Sequence, residues 1–201
     1  YNFMKYYYQL KENHFERKCC MKATGIVRRI DDLGRVVIPK ELRRTMRIRE
    51  GEPLEIYTDA NGELILRKYS PVGEISHSSM ECAEAINQIT KHTCIITDKD
   101  KVVACSGSNK KEYIEKQISK EVEDLLLSRK SKMLNKDDVK IPITSNDTKE
   151  HYSQAFAPIL VYGDAMGMII VTNDDSADKN MTDSDMSVAM MAALFFGKQM
   201  E

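Results

Sequence analysis

At 201 residues the chain is long enough for one large or two small domains, each with a core of its own. Lysine and arginine (30) nearly balance aspartate and glutamate (31), but residues 21–70 carry 11 basic and 8 acidic side chains while residues 71–201 carry 15 and 21. No apolar run nears the roughly 18 residues of a membrane span, no secretory core is present, and five cysteines without metal-type spacing suit reduced thiols; the expectation is a soluble cytoplasmic protein with no membrane partner.

Residues 1–20, "YNFMKYYYQLKENHFERKCC", are rich in aromatics, lack periodicity and end in adjacent cysteines too close for an ordinary bridge. Two readings stand: a leader that is not native, or a basic arm, since the stretch holds four basic and two acidic residues. From Met21 a cleaner pattern begins. "TGIVRRI" predicts a strand. In "DDLGRVVIPKELRR" a turn at residues 31–34, with Gly34 free to take positive φ, leads into a Val36, Val37, Ile38 strand. Pro39 then opens a short helix over residues 40–46. Strands at "LEIY" and "LILRKY" flank Asn61-Gly62, a strong hairpin signal. Four short strands in fifty residues make a marginal core, so the unit is expected to share surface with a second copy.

Arginines crowd both ends of the Val36–Ile38 run. Burying them would be costly, so they face outward, either toward an anion or into solvated pairs with Asp31, Asp32, Glu41 and Glu50. Arg35 can project from the turn beside Gly34. Arg43 and Arg44 flank the Leu42/Met46 stripe and lie off the core. Arg28 fits less well, because strict alternation puts it on the face of Ile26 and Ile30.

The stretch "MKATGIVRRIDDLGRVVIPKELRRTMRIREGEPLEIY" closely resembles the AbrB-type swapped-hairpin DNA-binding domain, and the chain as a whole resembles the stage V sporulation protein T family. The resemblance implies an interleaved β-barrel homodimer presenting Arg28, Arg35, Arg43 and Arg44 to double-stranded DNA, with Lys22 and Arg29 as basic neighbours of weaker claim. It also implies a regulator, activating and repressing, of late sporulation genes in the developing spore.

"YSPVGE" reads as the boundary, giving residues 21–70 as the DNA-binding domain, 71–75 as linker and 76–201 as a second domain. There Ile75, Ser79, Cys82, Ile86 and Ile89 predict a helix, followed by strands "TCIIT" and "VVACSG". A second helix is expected over residues 111–127, then strands "VKIPIT", "QAFAPILVY" and "MGMIIVT". A final helix opens on the Thr182/Asp185 cap signal. The order predicts an α+β fold with an antiparallel sheet flanked by helices, and it resembles a GAF domain. GAF domains often hold a small-molecule effector, but these residues carry no fingerprint for one, nor for a cofactor or a metal. His77, His92 and His151 read as surface or capping residues, and Cys82, Cys94 and Cys105 as small buried hydrophobes. On the last helix Met186, Ala189, Ala193, Phe196 and Met200 fall at heptad spacing. With Ile75, Cys82 and Ile89 they would complete a four-helix bundle between chains, a homotetramer, or else pack within one chain.

Three function classes follow. The favoured one is a DNA-binding transcription regulator, not an enzyme. The second is an AbrB-fold antitoxin, whose flexible tail the periodic C-terminal half argues against. The third is a GAF-type reductase, which needs Cys94 or Cys105 exposed with a lowered pKa.

Overall fold

Ile95 and Ile96, and likewise Ile169 and Ile170, are sequence neighbours that are all completely buried, because the strands carrying them are covered on both faces. In this computed structural model, which describes residues 24–108, 110–173 and 181–201, they sit at the centre of a five-stranded antiparallel sheet. The chain divides into two units, Tyr1–Glu52 and Pro53–Glu201.

The larger unit begins with a hairpin, β1 (Leu54–Thr58) and β2 (Leu64–Lys68). A helical turn, α1 (Pro71–Glu74), and helix α2 (Ser76–Thr90) follow. Strands β3 (Thr93–Thr97) and β4 (Val102–Ser106), helices α3 (Lys110–Tyr113) and α4 (Lys120–Ser128), and strand β5 (Lys132–Leu134) come next. Strands β6 (Ser153–Val161) and β7 (Asp164–Asn173) and helix α5 (Asp183–Gln199) complete the unit. The sheet order is β4-β3-β7-β6-β5, with Ile95 opposite Ile170 and Ile96 opposite Ile169. One face, with Cys94, Ile96, Ile159 and Ile169, packs on α2 and α5 through Ala83, Ile86, Ala189 and Phe196. The other face, with Ile95, Cys105, Phe156 and Ile170, packs on Tyr113, Ile118, Val122, Leu126 and Ile143. Two glycines permit this closeness. A Cβ on Gly167 would lie 2.1 Å from the Thr97 carbonyl oxygen, and one on Gly197 would lie 2.4 Å from that of Leu160.

Several expectations need correction here. The segment expected as linker takes the form of a capped helical turn: Ser70 Oγ accepts from Gly73 N (3.1 Å) and donates to Asp98 (2.8 Å), and Val72 is fully buried. Lys68 Nζ also meets both Asp100 oxygens at 2.9 Å, tying β2 to the β3–β4 turn. The single helix expected over residues 111–127 is two, because residues 115–118 bond to the start of β4 and the turn before it instead (Glu115 N to Val102 O, Ile118 N to Asp100 O). "VKIPIT" forms no strand: Pro142 lacks a donor, and the Gln154 side chain takes both backbone groups of Ile141. The edge strand is Lys132–Leu134 instead.

The smaller unit holds one described helix, at Lys40–Thr45, with Pro39 as its N-cap residue. The strands expected at "TGIVRRI" and at Val36, Val37 and Ile38 are absent among the described residues. A strand needs a ladder partner, and the described residues supply none there. Val27, Ile30, Val36 and Val37 are consequently exposed, Val37 by 70%.

Candidate nucleic-acid interface

The turn that carries Arg35 is built by one carboxylate. Asp31 Oδ1 accepts from Leu33 N (3.0 Å) and Arg35 N (2.8 Å), and Asp31 Oδ2 accepts from Arg35 Nε (2.8 Å). Gly34, at φ 75°, lets the chain reverse. Hydrogen bonds from the Arg35 backbone and then its guanidinium hold the Asp31 carboxyl below its usual range. The expected solvated pair with Asp31 is therefore present, but it occupies Nε alone. The terminal guanidinium nitrogens of this exposed side chain make no other hydrogen bond among the described residues. The same pair fixes the direction of the side chain, as a phosphate or base-edge contact requires.

Arg43 and Arg44 occupy the last turn of the Lys40–Thr45 helix. Arg44 is exposed; Arg43 is half-buried, and its Nε is shielded from solvent without a hydrogen-bond partner. Leu42 is half-buried and Met46 exposed, so the expected apolar stripe is only partly covered by this chain. Arg28 and Arg29 lie on an exposed extended segment, where Arg28 reaches only its neighbour's carbonyl at 3.4 Å. With no strand there, the difficulty of placing Arg28 on the face of Ile26 and Ile30 does not arise in the single chain. Lys22 lies outside the described residues, as do residues 1–20. The sequence reading passed over Arg47, exposed and at φ 52° just beyond the helix. Its signal was available: a basic residue where a helix end usually takes glycine.

Among the described residues of the larger unit, the cysteines and histidines form no reactive centre. Cys94 is fully buried, and burial pushes its thiol well above the ordinary value, the opposite of what a reductase needs. Cys105 is buried too. His77 is a surface residue beside Glu81, as expected, but His92 and His151 are buried. His151 Nε2 lies 2.9 Å from Asp147 Oδ2 and its Nδ1 lies 3.0 Å from Thr172 Oγ1. Thr172 is fully buried, so this Asp-His-Thr row pins the loop before β6 to β7 and presents no nucleophile to a substrate. Among the described residues no cluster of three or more His, Cys, Asp or Glu could hold a metal, and no helix is long and apolar enough to cross a membrane.

Comparison with known proteins finds one family match on each side of residue 74. Residues 74–201 fit the family described as stage V sporulation protein T C-terminal, transcription factor, and residues 27–74 fit antidote-toxin recognition MazE, bacterial antitoxin. Stage V sporulation protein T of Bacillus subtilis is 44% identical over 181 residues, which is 90% of this chain and 99% of that protein. Transition state regulatory protein AbrB of the same organism is 52% identical over 69 residues, 31% of this chain and 71% of that protein. Among solved structures, the GAF domain from an Acinetobacter phosphoenolpyruvate-protein phosphotransferase has a TM-score of 0.51 at 16% identity, covering 65% of this chain and 87% of that one. The cyanobacteriochrome receptor PixJ has a TM-score of 0.52 at 13% identity, covering 66% and 98%. The fold is thus α+β, an AbrB-type N-terminal region followed by a GAF-like domain, and the chain belongs to the stage V sporulation protein T family of transcription factors.

Proposed function

We propose that this chain binds double-stranded DNA through Arg28, Arg35, Arg43 and Arg44, flanked by Lys22 and Arg29, and regulates late sporulation genes in the cytoplasm of the developing spore. The observation that carries this is the coincidence, in residues 24–52, of exposed arginines with exposed valines and isoleucines that lack ladder partners. A second copy that pairs with those strands buries the apolar side chains and doubles the arginines on one surface. The head is therefore a homodimer. A head that reads phosphates and shape has no inherent sign, so the position of its site decides between activation and repression.

The larger unit serves assembly. Its α5 helix exposes Met190, Met191, Leu194 and Phe195, and Ile89 is exposed on α2. Monomeric proteins seldom leave such a contiguous apolar face uncovered. A second pair of chains is the occupant, because a dimer already joined at its heads gains a homotetramer with two linked DNA sites. A small-molecule effector would have to open the packed face around Tyr113, Ile143 and Phe156; it would bias this assembly rather than build it.

Arg35→Ala, and Arg43→Ala together with Arg44→Ala, are expected to abolish DNA binding while leaving melting temperature and dimerisation intact. The log–log dependence of binding on salt should lose about one unit per phosphate contact removed. Wild-type affinity in either variant, measured by fluorescence anisotropy, would overturn the reading.

A further inference from the structure

We propose that Arg47 is an additional DNA-contacting residue, held rigidly beside Arg43 and Arg44 by the end of the Lys40–Thr45 helix; this rests on the DNA-binding reading above. The helix closes with paired bonds, Ile48 N to Arg43 O at 2.7 Å and Arg47 N to Arg44 O at 3.2 Å. That pattern requires a left-handed residue between them, and Arg47 supplies it at φ 52°. Glycine is the usual occupant, because a Cβ is strained in that conformation. The same unit follows that preference at its other described positive-φ positions, Gly25, Gly34 and Gly51. Arg47 departs from it, and an observed backbone outlier of this kind points to a use for the side chain.

Among the described residues the side chain has no such use. Arg47 is exposed and makes no ion pair among the described residues. Lys91 and Arg129 also end helices in the left-handed conformation, at φ 63° and 58°, where a cation complements the helix dipole. That explanation is weaker for a six-residue helix whose last turn already holds Arg43 and Arg44, since a third cation there adds repulsion. An external anion relieves it. The shielded Arg43 Nε, without a partner among the described residues, belongs to the same rigid piece and also calls for an acceptor. The two closing bonds start or end on the backbones of Arg43, Arg44 and Arg47, so the three guanidinium groups spring from one fixed turn. A phosphate run of the duplex is the ligand whose charge and repeat suit them.

The test uses the full chain, a fluorescein-labelled A·T-rich duplex, and three variants: Arg47→Gly, Arg47→Lys, and the Arg43→Ala/Arg44→Ala pair as control. Arg47→Gly should melt no lower than wild type, because glycine relieves the backbone, yet bind about five- to tenfold more weakly with a salt slope reduced by about one. Arg47→Lys should keep the slope. An unchanged affinity and slope in Arg47→Gly, with binding lost in the control pair, would overturn the role of Arg47 and leave the DNA-binding reading standing. Binding retained in the control pair would overturn both.

Discussion

Two five-residue loops of the same construction end differently. At residues 59–63, Asp59 Oδ1 accepts from Asn61 N and Glu63 N, Gly62 N donates to the Asp59 carbonyl, and Asp59 N donates to the Glu63 carbonyl. At residues 31–35, Asp31, Leu33, Gly34 and Arg35 repeat each of those bonds. The first loop joins the paired strands β1 and β2; the second joins two segments that do not pair. The arms explain the difference. Around the first, Ile56 faces Leu66, Glu55 faces Arg67, and Arg67 lies 5.0 Å over the Tyr57 ring. Around the second, Arg28 and Arg29 sit together on one arm, and the other runs into Pro39, which has no N–H to donate. A turn is thus specified by five residues, whereas a ladder depends on what the arms meet. On the proposed reading the arms meet a second copy of the chain.

The comparison breaks most visibly at Val37. In the lone chain it is 70% exposed, so Val37→Asp should cost no more than about 0.5 kcal/mol. If a second copy covers it, the same substitution buries an unpaired carboxylate and weakens the dimer by about 3 kcal/mol or more, on the order of a hundredfold. We expect the larger effect, with DNA binding lost alongside. Sedimentation equilibrium checks it, and a Val37→Asp dimer as tight as wild type would mean that these arms stay open.

Smaller, and confined to the other unit, is the effect of a charge on the last helix. The heptad set Met186, Ala189, Ala193, Phe196 and Met200 was the expected contact between chains, but Ala189, Ala193 and Phe196 are buried against the chain's own sheet. The uncovered face is the neighbouring one, Met190, Met191, Leu194 and Phe195. Leu194→Glu should therefore convert tetramers to head-joined dimers with the melting temperature little changed, since the side chain is 66% exposed in the single chain. Ala193→Glu should instead destabilise the chain itself. Light scattering and thermal melts separate the two.

These outcomes mark how far the sequence could be read. Local signals were reliable: the Asn61-Gly62 hairpin, the Thr182/Asp185 capping box, and the β3, β4, β6 and β7 runs all recur in the structure. Apolar periodicity could not tell one helix from two at residues 111–127, because Ile118 and Val122 are buried on the same face whether the chain is helical or bridged at residue 117. Nor could it choose between two apolar faces of an almost wholly apolar helix, where spacing is satisfied by either. Among the arginines of the smaller unit, composition singled out Arg35, Arg43 and Arg44; Arg47 carries a sequence signal only once the helix end is located, because its distinction lies in a backbone angle.

The smallest effect expected is a pH dependence inside the larger unit. Burial alone would raise the Asp147 carboxyl, but the bond with His151 and those from Ile143 N (2.9 Å) and Lys149 N (3.2 Å) outweigh it and hold it below its usual range. A neutral His151 with its proton on Nε2 satisfies both neighbours, donating to Asp147 and accepting from the Thr172 hydroxyl. A carboxyl whose folded pKa lies below its unfolded value near 3.9 contributes stability that is fully present above that value. The contribution is lost as pH falls through the folded pKa. Asp147→Asn should therefore melt lower than wild type by a constant margin at neutral and mildly acidic pH, and the margin should narrow only below about pH 4. Asp31 in the smaller unit, also held below its usual range, gives a limb of the same sign that solvent screening weakens, because its carboxylate is exposed and bonds only within the local turn. A margin that stayed constant down to the acid transition would show that Asp147 acts through shape and hydrogen bonding alone, with its charge contributing nothing to the loop it anchors.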